Sequence, residues 1–519
     1  MERIPRVFEQ RGATEWPSRV AFWVGALAIC AGVVLHLPMF ADSAPMGYSM
    51  AGMEVDAGMI AGMVLIVAGT LIAGWSLLPT GAFDSCRTRA LALTVVQDGE
   101  VKSQHVKLLV CIALALIIDA MKPATLAFVV PGVAVEYRLS RSVVALLPLA
   151  GLSGTMAGSY VWGWLADFFG RRAAILLAAL MFIGTAICGT MPSFRWNLVM
   201  CFLMGLAAGG MLPIALTLLA EVMPARHRGF FLVLLGGLTI LGGYLSASIS
   251  ARLLEPHFGW RVLWLTGLPT GLLLIILNRY IPESPKFLLL HGRVREAEAI
   301  LSRYGARLAR SPSMQHPTAT SMEPHSARRP QLALTLNLVA LLWGLINFGV
   351  LLWLPSELRA RGLSVASADL LLSKSAFLAF PSAALTAWLY ERSSGKWALA
   401  AASLVTALAL FGLVLVDFGA VSPDAAGWLI SSLMVGAGGV IAVLIPYAAE
   451  TTLLKQRGRA TGLVAASSKL GGVAAQCAGL AGLLPSLTPG TLFLACAMLA
   501  TGVWVIACAP RQGTRLLNG

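Results

Sequence analysis

The sequence predicts an all-α membrane protein in which two six-helix repeats follow two extra N-terminal transmembrane helices. Composition is the first reason: of 519 residues, 58% are hydrophobic and only 12% are charged. A mean hydropathy of +0.80 exceeds that of soluble domains, so lipid must solvate much of the chain. The second reason is a series of apolar runs long enough to cross a bilayer core of about 30 Å. The third is an internal repeat among these runs.

The net charge of +14 is concentrated on one side of the predicted membrane. Most of the 38 Lys and Arg fall in alternate loops and at the helix ends beside them, whereas the opposite loops carry few. This positive-inside asymmetry is typical of multi-pass membrane proteins, and it accounts for the basic composition without a nucleic-acid partner. It also predicts that both termini are cytoplasmic, and we expect the protein to reside in the cell inner membrane.

The first predicted unit is an N-terminal extension, residues 1–106, with two spans and a polar cytoplasmic linker. The loop between the spans holds three acidic residues and neither Lys nor Arg, so we expect it to face outside. The predicted bounds are 19–40 for span a, 57–79 for span b and 80–106 for the linker.

Twelve further spans form two halves, residues 107–280 and 333–510, before a cytoplasmic tail, 511–519. The cytoplasmic loop between the halves, 281–332, begins with a helix-prone stretch and ends in a Pro/Ser/His-rich run that is predicted to be disordered. The predicted bounds of spans 1 to 6 are 107–131, 142–168, 172–191, 196–221, 229–253 and 260–280. Those of spans 7 to 12 are 333–357, 366–390, 396–417, 425–449, 459–483 and 489–508.

The two halves are related by a shift of 229 residues without a gap. Parallel six-helix repeats predict a substrate site near the membrane midplane, where the halves meet, with access alternating between the two sides. The shift superimposes Gly209-Gly210 on Gly438-Gly439, Glu221 on Glu450, Arg228 on Arg457, and Gly242-Gly243 on Gly471-Gly472.

A short charged turn between spans 2 and 3 carries the most specific motif. Its two glycines are expected to allow close backbone approach and a tight reversal, and its Asp and Arg pair to form a charged latch beside a helix end. The pattern resembles the signature of major facilitator superfamily transporters, with Phe168 in place of the usual basic residue. The motif residues are Gly163, Asp167, Gly170, Arg171 and Arg172.

Other motifs extend the resemblance. The second half contains a degenerate copy of the turn with Glu391 and Arg392, and span 6 is followed by Pro282-Glu283-Ser284-Pro285. The latter is similar to the motif of sugar porters, organic ion transporters and metabolite:proton symporters. Span 5 lacks the Gly-Pro pair of proton-driven drug antiporters, which makes export by that route less favoured. The resemblance implies latch roles at the cytoplasmic face for Glu221, Arg228, Glu450 and Arg457.

Charged residues inside predicted spans are functional candidates because they are costly in lipid. Asp119 and Lys122 lie near the middle of span 1 on one helical face. In the functional interpretation, Asp119 accepts the coupled proton and pairs with Lys122 when it is deprotonated. In the structural interpretation, the two form a static ion pair that orients the helix.

Two further lysines are predicted to bind substrate. Lys469 in span 11 and Lys374 in span 8 have no acidic residue within one helical turn, and a desolvated ammonium without a partner should lose its proton or bind an anion. Their placement is similar to that of basic residues in organic anion transporters. Pairing with Asp119 and snorkelling to the interface are the alternatives.

The outer loop of the extension is rich in Met, with a nearby His. Thioethers and imidazole suit Cu(I), but Met is also an ordinary packing residue, and packing is the favoured interpretation. The residues concerned are His36, Met46, Met50 and Met53.

Together these features predict a secondary transporter rather than an enzyme: a proton-coupled importer of a small organic anion, such as a carboxylate or aromatic acid. The sequence lacks a nucleotide-binding G-x-x-x-x-G-K-[ST] motif and an evident nucleophile–base pair. The expected energy source is the proton gradient without a cofactor, and the expected partners are a small-molecule substrate and the lipid bilayer, with the monomer as the functional unit. The alternatives are an exporter or carrier of sugar, drug or copper, and a non-transporting sensor or scaffold.

Overall fold

The structure, a computed structural model, describes residues 15–77, 93–96, 100–310, 330–452, 457–482 and 487–508. In this part of the chain, twelve helices are long and apolar enough to cross a membrane, and helices also occupy predicted spans 6 and 11. The chain is therefore a multi-pass membrane protein. Following the predicted orientation, we call the face that bears residues 43–56 the outer face and the opposite one the cytoplasmic face.

The described helices lie where hydropathy predicts spans, although several are longer or are divided by Gly or Pro. Spans a and b are Glu15–Val34 with Leu37–Asp42, and Ala57–Ser76. Spans 1 to 6 are Ser103–Glu136, Leu146–Phe169, Arg171–Gly184, Phe194–Ala208 with Met211–Val222, Arg228–Phe258, and Gly267–Asn278. Spans 7 to 12 are Pro330–Gly349 with Leu354–Ala360, Val365–Ala379 with Ser382–Arg392, Gly395–Asp417, Ala426–Glu450, Arg457–Leu480 and Leu487–Cys508. Short helices occupy Arg141–Val144, Val262–Leu265, Pro285–Leu290 and Val294–Arg303.

The internal repeat is visible in equivalent helix contacts. A Cβ added at Gly243 of span 5 would lie 2.6 Å from the Cβ of Ala120 in span 1. A Cβ added at Gly471 of span 11 would lie 2.1 Å from the carbonyl oxygen of Leu341 in span 7. Span 5 thus packs on span 1 as span 11 packs on span 7, because these glycines let the backbones approach closely. The predicted architecture of two six-helix repeats is confirmed.

The two helices of the extension pack tightly against each other. A Cβ added at Gly25 would lie 2.6 Å from the carbonyl oxygen of Gly69, and one added at Gly32 would lie 2.6 Å from that of Gly62. Such small-residue contacts are typical of helix pairs in lipid. The pair also rests on span 3, where a Cβ at Gly184 would lie 2.9 Å from the side chain of Ile66. The extension is therefore attached to the N-terminal half.

One element departs from the predicted all-α class. Strand Leu93–Val96 of the linker pairs antiparallel with strand Arg307–Arg310 of the loop between the halves. The run of β-branched residues at 94–96 favours this small sheet, which the helical periodicity elsewhere does not predict. The Pro/Ser/His-rich run at 311–329 and the tail at 511–519 lie outside the described residues.

Candidate functional site

A central cavity of about 170 Å³ lies between the two halves. Its lining is mainly apolar and aromatic, and two charged residues contribute to it from opposite halves. Span 1 supplies Asp119 and span 11 supplies Lys469, as expected for a site near the midplane. Among the other lining residues are Tyr244, Trp343, Asn347 and Phe348.

The ammonium group of Lys469 faces this cavity without a close carboxylate. Its Nζ lies 5.6 Å from the centroid of the Phe348 ring. Within the described part of the chain, the salt bridges formed at 4 Å or less do not include Lys469. A cation that lies over an aromatic ring and forms no salt bridge still has N–H donors to offer to a ligand.

Lys122 does not form the ion pair with Asp119 that the sequence suggests. Its Nζ donates hydrogen bonds to the carbonyl oxygen of Phe182 and to Oγ1 of Thr185, the latter at 2.8 Å. The Nζ also lies 4.4 Å from the centroid of the Phe182 ring. The long side chain thus reaches span 3, away from the cavity, and leaves Asp119 beside the site without an ion-pair partner within 4 Å among the described residues.

Tyr244 is a cavity residue that the sequence analysis missed. Its side chain is partly buried, and its buried hydroxyl makes no hydrogen bond within the described structure. Buried hydroxyls normally have partners, so an unpaired one at a cavity wall is suited to a bound ligand. The sequence did offer one signal for this residue, because Tyr244 is a polar aromatic residue within a mainly apolar span.

Lys374 does not contribute to the cavity, which contradicts its predicted role in substrate binding. Its side chain is exposed on the outside of the bundle, whereas Ala376 lines the cavity. The adjacent Ser375 is buried and donates a hydrogen bond of 3.0 Å to the carbonyl oxygen of Gly427. Two positions along a helix correspond to a rotation of about 200°, so Lys374 faces the other way.

At the cytoplasmic face, the predicted latch of the N-terminal half is a connected network. Arg171 lies 3.5 Å from Asp167 and 3.8 Å from Glu221. Glu283, from the motif after span 6, accepts a 2.7 Å hydrogen bond from the backbone N–H of Arg171. The hydroxyl of Ser284 donates to Glu221. Burial raises the pKa of the Glu283 carboxyl, although hydrogen bonds from the backbone N–H groups of Ser284, Arg172 and Arg171 favour its charged form.

The two motif glycines differ in what they do. Gly170 has a φ of +96°, and a Cβ there would lie 2.6 Å from Oε2 of Glu283. Only glycine fits this position without strain. Gly163 has nothing within 4 Å of an added Cβ, so the close approach predicted for it is absent from the described structure. Arg172 is buried and donates to the carbonyl oxygen of Arg279 at 3.4 Å.

The counterpart residues of the C-terminal half face the N-terminal half. Oε1 of Glu391 lies 2.9 Å from Nδ1 of His227, just before span 5. A Cβ added at Gly229 would lie 3.0 Å from Oε1 of Glu450. Arg392 lies over the ring of Trp388 at 5.8 Å. The degenerate motif thus contributes contacts between the halves; the side chain of Arg457 lies outside the described structure.

The outer loop of the extension is clamped to span 1. Oε1 of Glu136 accepts hydrogen bonds from the backbone N–H groups of Met50 and Ala51, at 2.8 and 3.0 Å. The same carboxylate pairs with the fully buried Arg261 at 2.7 Å. Sequence analysis missed this pair, although an acid at the end of span 1 and an Arg at the start of span 6 are complementary.

The Met-rich loop shows the contacts of packing residues. Met50 is fully buried, Met53 packs against the core, and Met46 is mostly exposed. Nδ1 of His36 lies 2.7 Å from the carbonyl oxygen of Gly32, in the last turn of the preceding helix. Groups of three or more His, Cys, Asp or Glu that could hold a metal are absent from the described residues. The burial of Met50 and the core contacts of Met53 favour the packing interpretation.

A membrane protein with two repeated six-helix halves around a charged central cavity has the architecture of a secondary transporter that works by alternating access. The family model of the Major Facilitator Superfamily matches residues 109–476. The chain belongs to this superfamily, whose members are transporters and not enzymes.

Similar proteins agree with this assignment. The chain is 29% identical over 385 residues to the niacin transporter NiaP of Acinetobacter baylyi, covering 72% of this chain and 85% of that protein. It is 29% identical over 326 residues to a gallate transporter of Pseudomonas putida, covering 61% and 71%. A structure of the xylose transporter XylE from E. coli superimposes with a TM-score of 0.63 at 16% identity, covering 79% of this chain and 99% of that one. The first two similarities are to transporters of small organic anions, and the third concerns the fold.

Proposed function

We propose that this protein imports a single-ring aromatic carboxylate together with a proton across the cell inner membrane, with both termini in the cytoplasm. The observation that carries the proposal is Lys469, a cation at the central cavity that forms no salt bridge with a carboxylate of the described residues. Niacin and gallate, which name two of the similar transporters, are both carboxylates on one ring.

The charge of Lys469 favours an anionic substrate. An ammonium removed from water is costly unless an opposite charge compensates it. The Phe348 ring compensates it only weakly, and Asp119, which also lines the cavity, attracts it from beyond salt-bridge distance. A carboxylate that enters the cavity would supply the missing partner and charge-assisted hydrogen bonds.

The size and lining of the cavity favour one aromatic ring. Its volume of about 170 Å³ is below the roughly 300–1,000 Å³ of sites for drug-sized ligands. Phe348 and Trp343 offer aromatic faces for stacking, and the Tyr244 hydroxyl offers a donor for a ring substituent. These groups support a flat and partly polar substrate.

Asp119 would link the substrate to the proton. Asp119 and Lys469 line the same cavity, and their charges attract each other. When a substrate carboxylate binds Lys469, two anions share one cation in a poorly solvated site. One of them then gains by taking up a proton, as in other carboxylate pairs. Binding of the anion and of the proton would therefore favour each other, which is the requirement for symport.

Calorimetric titration of the purified full-length chain tests the proposal. Nicotinate and its neutral isostere nicotinamide have the same ring and differ in charge. We expect nicotinate or gallate to bind with proton uptake, nicotinamide to bind much more weakly, and Lys469→Ala to remove this preference. Lys374→Ala is the matched control, because it removes a lysine that does not line the cavity. Equal binding of acid and amide, or an unchanged preference in Lys469→Ala, would contradict an anion site.

A further inference from the structure

A buried cluster of charges joins the two halves at the outer face. Arg359, at the outer end of span 7, lies 3.0 Å from Glu255 of span 5. It also lies 3.3 Å from Asp369 of span 8. Glu255 belongs to the N-terminal half, whereas Arg359 and Asp369 belong to the C-terminal half. The cluster must therefore separate whenever the outer face opens.

This cluster contains two carboxylates and one cation in a poorly hydrated place. The side chains of Glu255, Arg359 and Asp369 are 6%, 14% and 0% exposed. Oδ2 of Asp369 has no hydrogen-bond partner in the described structure. With both acids ionised, the cluster would hold an uncompensated negative charge, which is costly away from water.

Neighbouring charges do not supply the missing cation, because they either pair with another acid or are exposed to solvent. On span 7 and the loop after it, Arg361 pairs with Asp417 at 2.7 Å. Arg141, before span 2, contacts Glu357 of span 7 at 3.4 Å, and Arg261, before span 6, pairs with Glu136. Arg252 and His257 of span 5 are exposed, and Tyr244 lies about three helical turns before Glu255 in the same span.

We propose that Glu255 and Asp369 together bind one proton when the outer face is closed, and release it when the face opens. The shared proton neutralises one of the two carboxylates. The other carboxylate balances the positive charge of Arg359, so the closed cluster is neutral overall. An outer cavity of about 1,030 Å³ is lined by Glu255 and Arg359 but not by Asp369, whose side chain is 0% exposed. Protons from the outer solution can therefore reach the edge of the cluster while Asp369 stays buried.

The sign of the effect follows from the separation. In the open state water reaches both acids, and they ionise as ordinary carboxylates do. Closure then takes up one proton, so acid outside favours the closed outer face. One proton linked to a two-state change shifts its equilibrium by up to tenfold per pH unit. This proton binds and leaves on the outer side, so the device is independent of the substrate and of Asp119.

Distance measurement by electron–electron double resonance tests this gate without substrate. Nitroxides would replace Trp196 and Phe418, exposed residues at the outer ends of spans 4 and 9, in a full-length, cysteine-depleted chain. We expect the fraction with a closed outer face to rise as pH falls. Glu255→Gln should keep the outer face closed at all pH values, because the amide replaces the protonated acid. Asp369→Asn should do the same and serves as a second variant if the first fails to fold.

Two controls separate the gate from other proton sites. Glu357→Gln removes an acid from the partly exposed contact with Arg141, and it should keep the pH response. Asp119→Asn should also keep it. A wild-type distance distribution that does not change with pH would overturn the proposal, as would a normal pH response in both Glu255→Gln and Asp369→Asn. Loss of the response in Asp119→Asn alone would assign the proton to the central cavity instead.

Discussion

Two lysines in membrane spans, Lys122 and Lys469, differ in whether the protein satisfies their charge. Lys122 is buried, and its Nζ donates to the carbonyl oxygen of Phe182 and to Thr185. Lys469 faces the central cavity beside the Phe348 ring. Both residues lie deep in apolar helices, so depth alone does not distinguish them. Satisfied donors indicate a structural role, and unsatisfied donors at a cavity indicate a ligand.

Asp119, which lies in the same helix as Lys122 and lines the same cavity as Lys469, should give the largest effect. We expect Asp119→Asn to abolish uphill uptake driven by a pH gradient, because the amide cannot accept a proton. Counterflow exchange should persist, since it requires alternation of access but no net proton movement. Uptake by proteoliposomes with imposed gradients measures both. Full accumulation by the variant would exclude Asp119 as the coupling site.

Lys469 should give the next largest effect. Removing one partner of a buried charge pair costs about 2–5 kcal/mol, or roughly 30-fold or more in affinity. We expect Lys469→Ala to lose carboxylate binding by this amount in calorimetric titrations. Lys469→Arg keeps the charge with a different geometry and should restore part of the affinity. Wild-type affinity in Lys469→Ala would contradict the role of Lys469 in binding a carboxylate, and with it the proposed substrate class.

Lys122 should affect stability instead of binding. Lys122→Met keeps most of the apolar stem but removes the donors to the Phe182 carbonyl and to Thr185. An unsatisfied buried acceptor costs about 1–3 kcal/mol, so the apparent melting temperature in detergent should fall. Carboxylate affinity, measured on the folded fraction, should stay at the wild-type value. A loss of affinity without a loss of stability would give Lys122 the role that we assign to Lys469.

Asp167 should have a smaller effect, because its carboxylate is exposed. An exposed ion pair such as the one with Arg171 contributes about 0–1 kcal/mol. Asp167→Asn should therefore shift the balance between inward- and outward-facing states, and the transport rate, by roughly fivefold at most. Substrate affinity measured at equilibrium should change little. Complete loss of binding by the folded variant would contradict a role in the latch.

Lys374 should have the smallest effect. Exposed substitutions away from special features change stability by about 0.5 kcal/mol or less. Lys374→Gln should therefore have wild-type affinity, transport and melting temperature. Reduced carboxylate binding in this variant would show that the Lys374 side chain points toward the cavity during transport, and not away from it as in this structure.

The sequence was sufficient for the fold but only for part of the site. Apolar runs and the exact 229-residue shift locate the spans and the repeat, because lipid imposes length and composition on each helix. Lys374 was misplaced because hydropathy gives depth but not rotation about the helix axis. Lys122 was misread because its long side chain reaches another helix. Arg359 and its two acids lie on three different spans, and a single sequence does not show which residues of different helices are in contact.

The hydrogen bonds from Met50 and Ala51 to Glu136 have a practical consequence. Together with the Gly184 contact, they make the extension part of the N-terminal half. When the two halves move relative to each other, the N-terminal half exposes more surface to lipid and meets more viscous drag. The C-terminal half should therefore undergo the larger displacement. An antibody fragment bound to the 43–56 loop would thus act as a rigid fiducial mark on the slower half for single-particle imaging.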